Sequence, residues 1–136
     1  MIRRSTALLL ILAFPFLAAP AGVVKDGTLS ATSDGVNITV RWVSEDEGTV
    51  GRYELERKSG LSGSFLPLAT VPLRGNNTLY EYVDETAFRI AGSIYQYQLR
   101  VTFHTGQSPV VYGPITVRHD VSSVRKTWGS IKAMFR

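Results

Sequence analysis

Gly92-Ser93-Ile94-Tyr95-Gln96-Tyr97-Gln98-Leu99-Arg100-Val101-Thr102-Phe103-His104 decides the fold. Tyr95, Tyr97, Leu99, Val101 and Phe103 occupy every second position, and Gln96, Gln98, Arg100 and Thr102 fill the gaps between them. An extended chain sends successive side chains to opposite faces. The pattern therefore predicts a central strand with one face in a core and the other in water.

Shorter runs of the same kind lie on either side. Val36, Ile38, Val40 and Trp42 alternate with Asn37, Thr39 and Arg41, the clearest half-buried strand after the first. Thr28 to Ser33 reads as a weaker strand, ended by the turn sequence Ser33-Asp34-Gly35. Tyr53 and Leu55 alternate with Arg52, Glu54 and Glu56 up to Lys58-Ser59-Gly60, and Leu79 to Val83 carries Tyr80 and Tyr82 on one face before Asp84. Phe65 to Val71 contains Pro67, which cannot donate to a ladder, so this strand belongs at an edge. Val110 to Val117 is the last strand, and Pro114 predicts a bend or bulge within it. Seven strands spaced roughly 8–12 residues apart, with no helical period between them, predict an all-β antiparallel sandwich of two sheets. Trp42, Tyr53, Tyr95, Tyr97 and Leu99 are its expected core.

Taken in order, these segments resemble a fibronectin type III domain over residues 28–118. The run V-x-I-x-V-x-W at 36–42 is similar to that family's second strand, and Gly51 to Arg57 to its third. Phe65, Leu68 and Val71, then Tyr82-Val83-Asp84, match the next two segments, and Gly92 to Leu99 resembles its G-x-x-Y-x-Y-x-V sixth strand. The resemblance implies that Tyr95 is the family's corner tyrosine, bonding back to main chain near the start of its strand. The chain departs from the family in lacking the Arg-Gly-Asp tripeptide and the proline that usually opens the first strand. What the resemblance implies is a binding or spacer module, since the sandwich itself dictates no chemistry.

Composition narrows the function further. There is no cysteine among the 136 residues, hence no disulfide, thiolate nucleophile or cysteine metal site. Between Gly22 and Arg118 there are nine basic residues against ten acidic ones, while the net +4 charge comes from the two ends. A near-neutral body lacks the basic stripe that nucleic acid requires. His104 and His119 are the only histidines, and no zinc, nucleophile-elbow or phosphate-loop motif occurs. We expect no enzyme, cofactor or metal. Glu45-Asp46-Glu47 reads as a solvated acidic loop, because Ca²⁺ would need six to eight oxygens at alternating positions. Asn37-Ile38-Thr39 and Asn76-Asn77-Thr78 are glycosylation sequons, relevant only where the transferase exists.

The two ends differ from the body. Residues 1–21 have the layout of a secretory signal: Arg3 and Arg4, an apolar run from Ala7 to Leu17, then Ala19-Pro20-Ala21. We expect a signal helix, cleavage after Ala21 and a secreted, periplasmic or cell-envelope protein. An uncleaved membrane anchor is the other reading, against which Pro15 and Pro20 interrupt the run. Residues 22–27 follow as a linker. In 119–136 the period changes: Val121, Val124, Trp128, Ile131 and Phe135 are spaced for one face of a short amphipathic helix, with Lys126, Lys132 and Arg136 around it. Such a helix is too short to stand alone. Its surface could be the chain's own sandwich, a protein groove or an anionic membrane. We expect Val124, Trp128, Ile131 and Phe135, supported by Lys126, Lys132 and Arg136, to dock a protein partner within an envelope or extracellular assembly. A peripheral membrane protein and a carbohydrate-binding module are the alternatives.

Overall fold

The computed structural model describes residues 22–87 and 93–120. Seven strands run through them: β1 (Ser30–Ser33), β2 (Ile38–Val43), β3 (Val50–Ser59), β4 (Leu66–Val71), β5 (Leu79–Asp84), β6 (Ser93–Phe103) and β7 (Val110–His119). All pair antiparallel, in one sheet ordered β1-β2-β5 and another ordered β4-β3-β6-β7. The chain is thus an all-β two-sheet sandwich, and β6, the strand built on the 92–104 pattern, lies inside the larger sheet.

The alternation places the core. Ile38, Val40 and Trp42 of β2 face Tyr53 and Leu55 of β3, with Tyr95, Tyr97, Leu99 and Val101 of β6 beside them, all buried. Trp42 stacks on Tyr80 with ring centroids 5.1 Å apart, and Tyr53 meets both edge-on at 5.7 and 5.2 Å. Each ring of this size hides roughly 150–250 Å² from water. At ~25 cal/mol per Å² that is about 4–6 kcal/mol of gross stabilisation per ring, before the cost of ordering it. Offset and edge-on contacts match the charge distribution of the rings and add a further fraction.

The structure moves several boundaries. Val36 lies outside β2 and is exposed, because Asp34 Oδ1 accepts the main-chain N–H groups of both Val36 and Asn37 and closes a turn there. β7 runs on through His119, which is buried. Residues 22–27, read as a linker, include Val23 and Val24, which enter the core. Lys25 N–H donates to Val43 O at 2.9 Å and Glu45 N–H to Val23 O at 2.7 Å, so this segment pairs with the end of β2. Glu56, on the outer face, is covered by Arg100 and Gln98, which both bond its carboxylate.

The prolines act as their positions suggest. Pro67 sits on β4, an outer strand, beside a register shift at Leu55/Glu56. Gly113 and Pro114 fall where the β6–β7 register slips between Tyr97 and Leu99. Gly113 has φ of 106°, and a Cβ there would lie 3.1 Å from Tyr97 O, so only glycine fits this bulge.

Candidate functional site

Three connections gather at one end of the sandwich: 44–49 between β2 and β3, 72–78 between β4 and β5, and 104–109 between β6 and β7. Glu47 organises the first two. It is buried, and its carboxylate accepts the Tyr53 hydroxyl at 2.9 Å, the Tyr80 hydroxyl at 2.5 Å and the Gly75 N–H at 2.9 Å. Its own N–H donates to Asn76 Oδ1 at 2.8 Å, and Ser44 Oγ donates to Gly75 O at 2.7 Å. The 104–109 connection joins through His104, whose N–H donates to Thr49 O at 3.1 Å. Loop positions that would otherwise fluctuate are fixed by bonds to buried atoms.

Burial, then the neighbouring carboxylate, push both phenols up: Tyr80 to about 12, and Tyr53 further in the same direction. A phenol that keeps its proton stays a donor, so the site is an acceptor satisfied by neutral donors. Sequence reasoning took Glu47 with Glu45 and Asp46 as solvated; that expectation holds for the exposed Glu45 and Asp46 and fails for Glu47. The reason is convergence: Tyr53 and Tyr80 are both at core positions, and each hydroxyl needs a partner there.

Beside this hub is a cleft of about 550 Å³ between the N-terminal segment and the 44–49 and 104–109 connections. Val23, Phe103, Val110 and Tyr112 give it apolar walls, while Asp46, Thr49 and Gln107 are its polar groups. Tyr112 also accepts the Val23 N–H at 3.2 Å. A second, smaller groove of about 360 Å³ follows the β3–β4 turn, with Lys58, Ser62, Leu66 and Pro67 among its walls.

The opposite end has its own buried carboxylate. Asp84 Oδ2 accepts the Tyr97 hydroxyl at 2.6 Å and Arg57 Nη1 at 2.8 Å, and Oδ1 accepts the N–H and hydroxyl of Thr86. Burial acts to raise this carboxyl's pKa, but the bonds from Tyr97, Arg57 and Thr86 together outweigh it and hold the group below its ordinary value. Here too lies His119, whose Nδ1 shares a 2.6 Å hydrogen bond with Ser33 Oγ. Its ring meets Tyr95 edge-on at 6.1 Å, so it is a packed core histidine. His104 and His119 therefore lie at opposite ends of the larger sheet.

The expected core residues Trp42, Tyr53, Tyr95, Tyr97 and Leu99 are all buried together. The proposed docking residues Val124, Lys126, Trp128, Ile131, Lys132, Phe135 and Arg136 lie outside the described residues, as do the segments expected to form the two terminal helices. Among the described residues, no group of three or more His, Asp or Glu side chains is placed to hold a metal ion. No family model matches the chain, and no curated protein matches it either.

Proposed function

We propose that this chain is an exported, non-enzymatic binding module with a fibronectin type III-like sandwich, held to a protein partner by residues 121–136. The observation that carries this reading is that the buried carboxylates and the largest aromatic rings of the described residues are used in holding the body together. Glu47 and Asp84 are saturated with internal donors, and Trp42, Tyr53, Tyr80, Tyr95 and Tyr97 are buried. The three-plus-four strand order, with Trp42 on the second strand and paired tyrosines on the sixth, supports the family resemblance. Arginine and lysine concentrated in the tail, against a near-neutral body, support a tail that docks. The same charge pattern also supports the second reading, attachment of that tail to an anionic membrane. A carbohydrate platform gains less support, because the aromatic rings of the body are mostly inside.

A deletion that tests this must start after Asp120, since His119 belongs to the core. Protein with and without 121–136 is co-sedimented with anionic and neutral vesicles at low and high salt. The protein-docking reading expects no tail-dependent pelleting, together with crosslinking in the native envelope fraction to one discrete protein. Trp128→Ala with Phe135→Ala should remove that crosslink. Tail-dependent pelleting on anionic vesicles alone, lost at high salt, replaces it with the membrane reading.

A further inference from the structure

We propose that cleavage after Ala21 leaves on Gly22 a free ammonium that pairs with the Glu45 carboxylate and completes the mouth of the cleft. This rests on the export reading above. A leader peptidase adds one water across the Ala21–Gly22 amide. The oxygen goes to the Ala21 carbonyl, which departs as a carboxylate, and the Gly22 nitrogen takes two protons to become an ammonium. The precursor has a neutral amide at this point, and the mature chain has a full positive charge.

The placement of Gly22 is fixed by the fold. Asp46 N–H donates to Gly22 O at 3.3 Å, and the neighbouring bonds of Val23 and Lys25 hold the next three residues in register. Val23 and Val24 are buried, so the segment cannot swing away without opening the core. A Cβ on Gly22 would lie 3.7 Å from Glu45 Oε2 and 3.8 Å from the Tyr112 hydroxyl. The Gly22 nitrogen is bonded to the same α-carbon, about 1.5 Å from it, and the pairing asks the exposed Glu45 side chain to turn toward it.

The charges around this point favour it. The Glu45 carboxylate has no hydrogen-bond or ion-pair partner among the described residues. Asp46 adds a second negative charge, although its Oδ1 already accepts the Gly48 N–H at 2.9 Å. Glu47 is turned inward to its two phenols, and Tyr112 faces Gly22 from β7. His104 is engaged with Gly48 O, and Arg74 lies over the far side of the Tyr80 ring. No lysine or arginine lines the cleft. The ammonium is thus the cation that the acidic mouth lacks.

The test uses the full chain from Gly22 to Arg136, prepared without added residues, with its α-amino group titrated by NMR. The expected pKa lies at least half a unit above the ordinary range of about 7.7–8.0. It should return to that range in Glu45→Gln and stay raised in Glu85→Gln, an exposed carboxylate remote from the cleft. Because the folded value is raised, the added stability is present in full below the unfolded pKa. It fades as pH rises through the folded one. Half a unit corresponds to a roughly threefold change in the unfolding constant, absent when Gly22 is N-acetylated. An α-amino group titrating in the ordinary range, or an equal shift in Glu45→Gln, overturns the capture alone. Mass analysis of the exported protein showing a different first residue overturns both the capture and the processing site it rests on.

Discussion

The two ends of the sandwich solve one problem in different ways. Each buries a carboxylate against tyrosine hydroxyls, but Asp84 also has the Arg57 guanidinium, whereas Glu47 has only two phenols and the Gly75 main-chain N–H. A buried charge matched by a cation is strong as long as both partners remain, and costly once either is removed. A charge shared among neutral donors is weaker per bond but can reach in several directions. At the Asp84 end the bonds join β3, β5 and β6, fixing the body. At the Glu47 end they tie the 44–49 connection, which flanks the cleft, to the 72–78 connection and to Tyr53 of β3 and Tyr80 of β5.

The largest expected effect comes from Asp84→Ala. It strands the Tyr97 hydroxyl and a half-buried guanidinium, so denaturant unfolding should show a loss of about 3 kcal/mol. A loss below ~1 kcal/mol breaks the claim that this end holds the body. Glu47→Gln comes next, at about 2 kcal/mol, since the amide can still accept from one phenol. Its sharper signature is local: hydrogen exchange at the Glu47 and Gly75 amides should quicken while that at Thr86 stays unchanged. Equal acceleration at Thr86 would mean that the two ends are not independent.

pH separates them further. Asp84's depressed value gives stability that is present above its unfolded value of 3.8 and is lost as pH falls through the folded one. That acid limb should shrink in Asp84→Asn and persist in Glu47→Gln. The phenols act at the other extreme. Tyr80, raised from 10.0 to about 12, keeps its proton when folded and loses it when unfolded, so stability falls as pH rises through that window. Tyr53 and Tyr97 are raised further and act in the same sense. Tyr80→Phe should therefore remove about one third of the alkaline slope between pH 10 and 12, the smallest of these effects.

How far the sequence carried can be traced to particular residues. Strand faces were legible because alternation is a local property: Tyr97, Leu99 and Val101 lie inside, as their spacing required. Pro67 at an edge and Pro114 at a bulge were legible for the same reason, because a missing N–H acts where it stands. Glu47 was not. Nothing separates it from Glu45 and Asp46 along the chain, and its partner Tyr80 is 33 residues away. The available signal was indirect, namely several tyrosines at core positions whose hydroxyls each required an acceptor. Asp84 marked only the end of a strand, and its bond to Arg57 depends on the two sheets meeting. Val23 and Val24 were hidden differently, since they end the uncharged run that begins at Ala7 and fall in the segment read as a linker. Glu56 keeps the outward phase of its strand and is buried only by long side chains from β6.

The prolines of the larger sheet have one more consequence, for behaviour in a crowded solution. Both outer strands of that sheet, β4 and β7, carry a residue that cannot donate and a slipped register, so a second molecule cannot extend either ladder cleanly. The smaller sheet ends differently. β5 is six residues long without proline or glycine, and Leu79 and Val83 stand exposed along it. Sticking between molecules, whether in a concentrated stock or during slow refolding, is therefore expected to begin at β5 rather than at β4 or β7. A charged residue in place of Leu79 is the change that keeps the protein in solution.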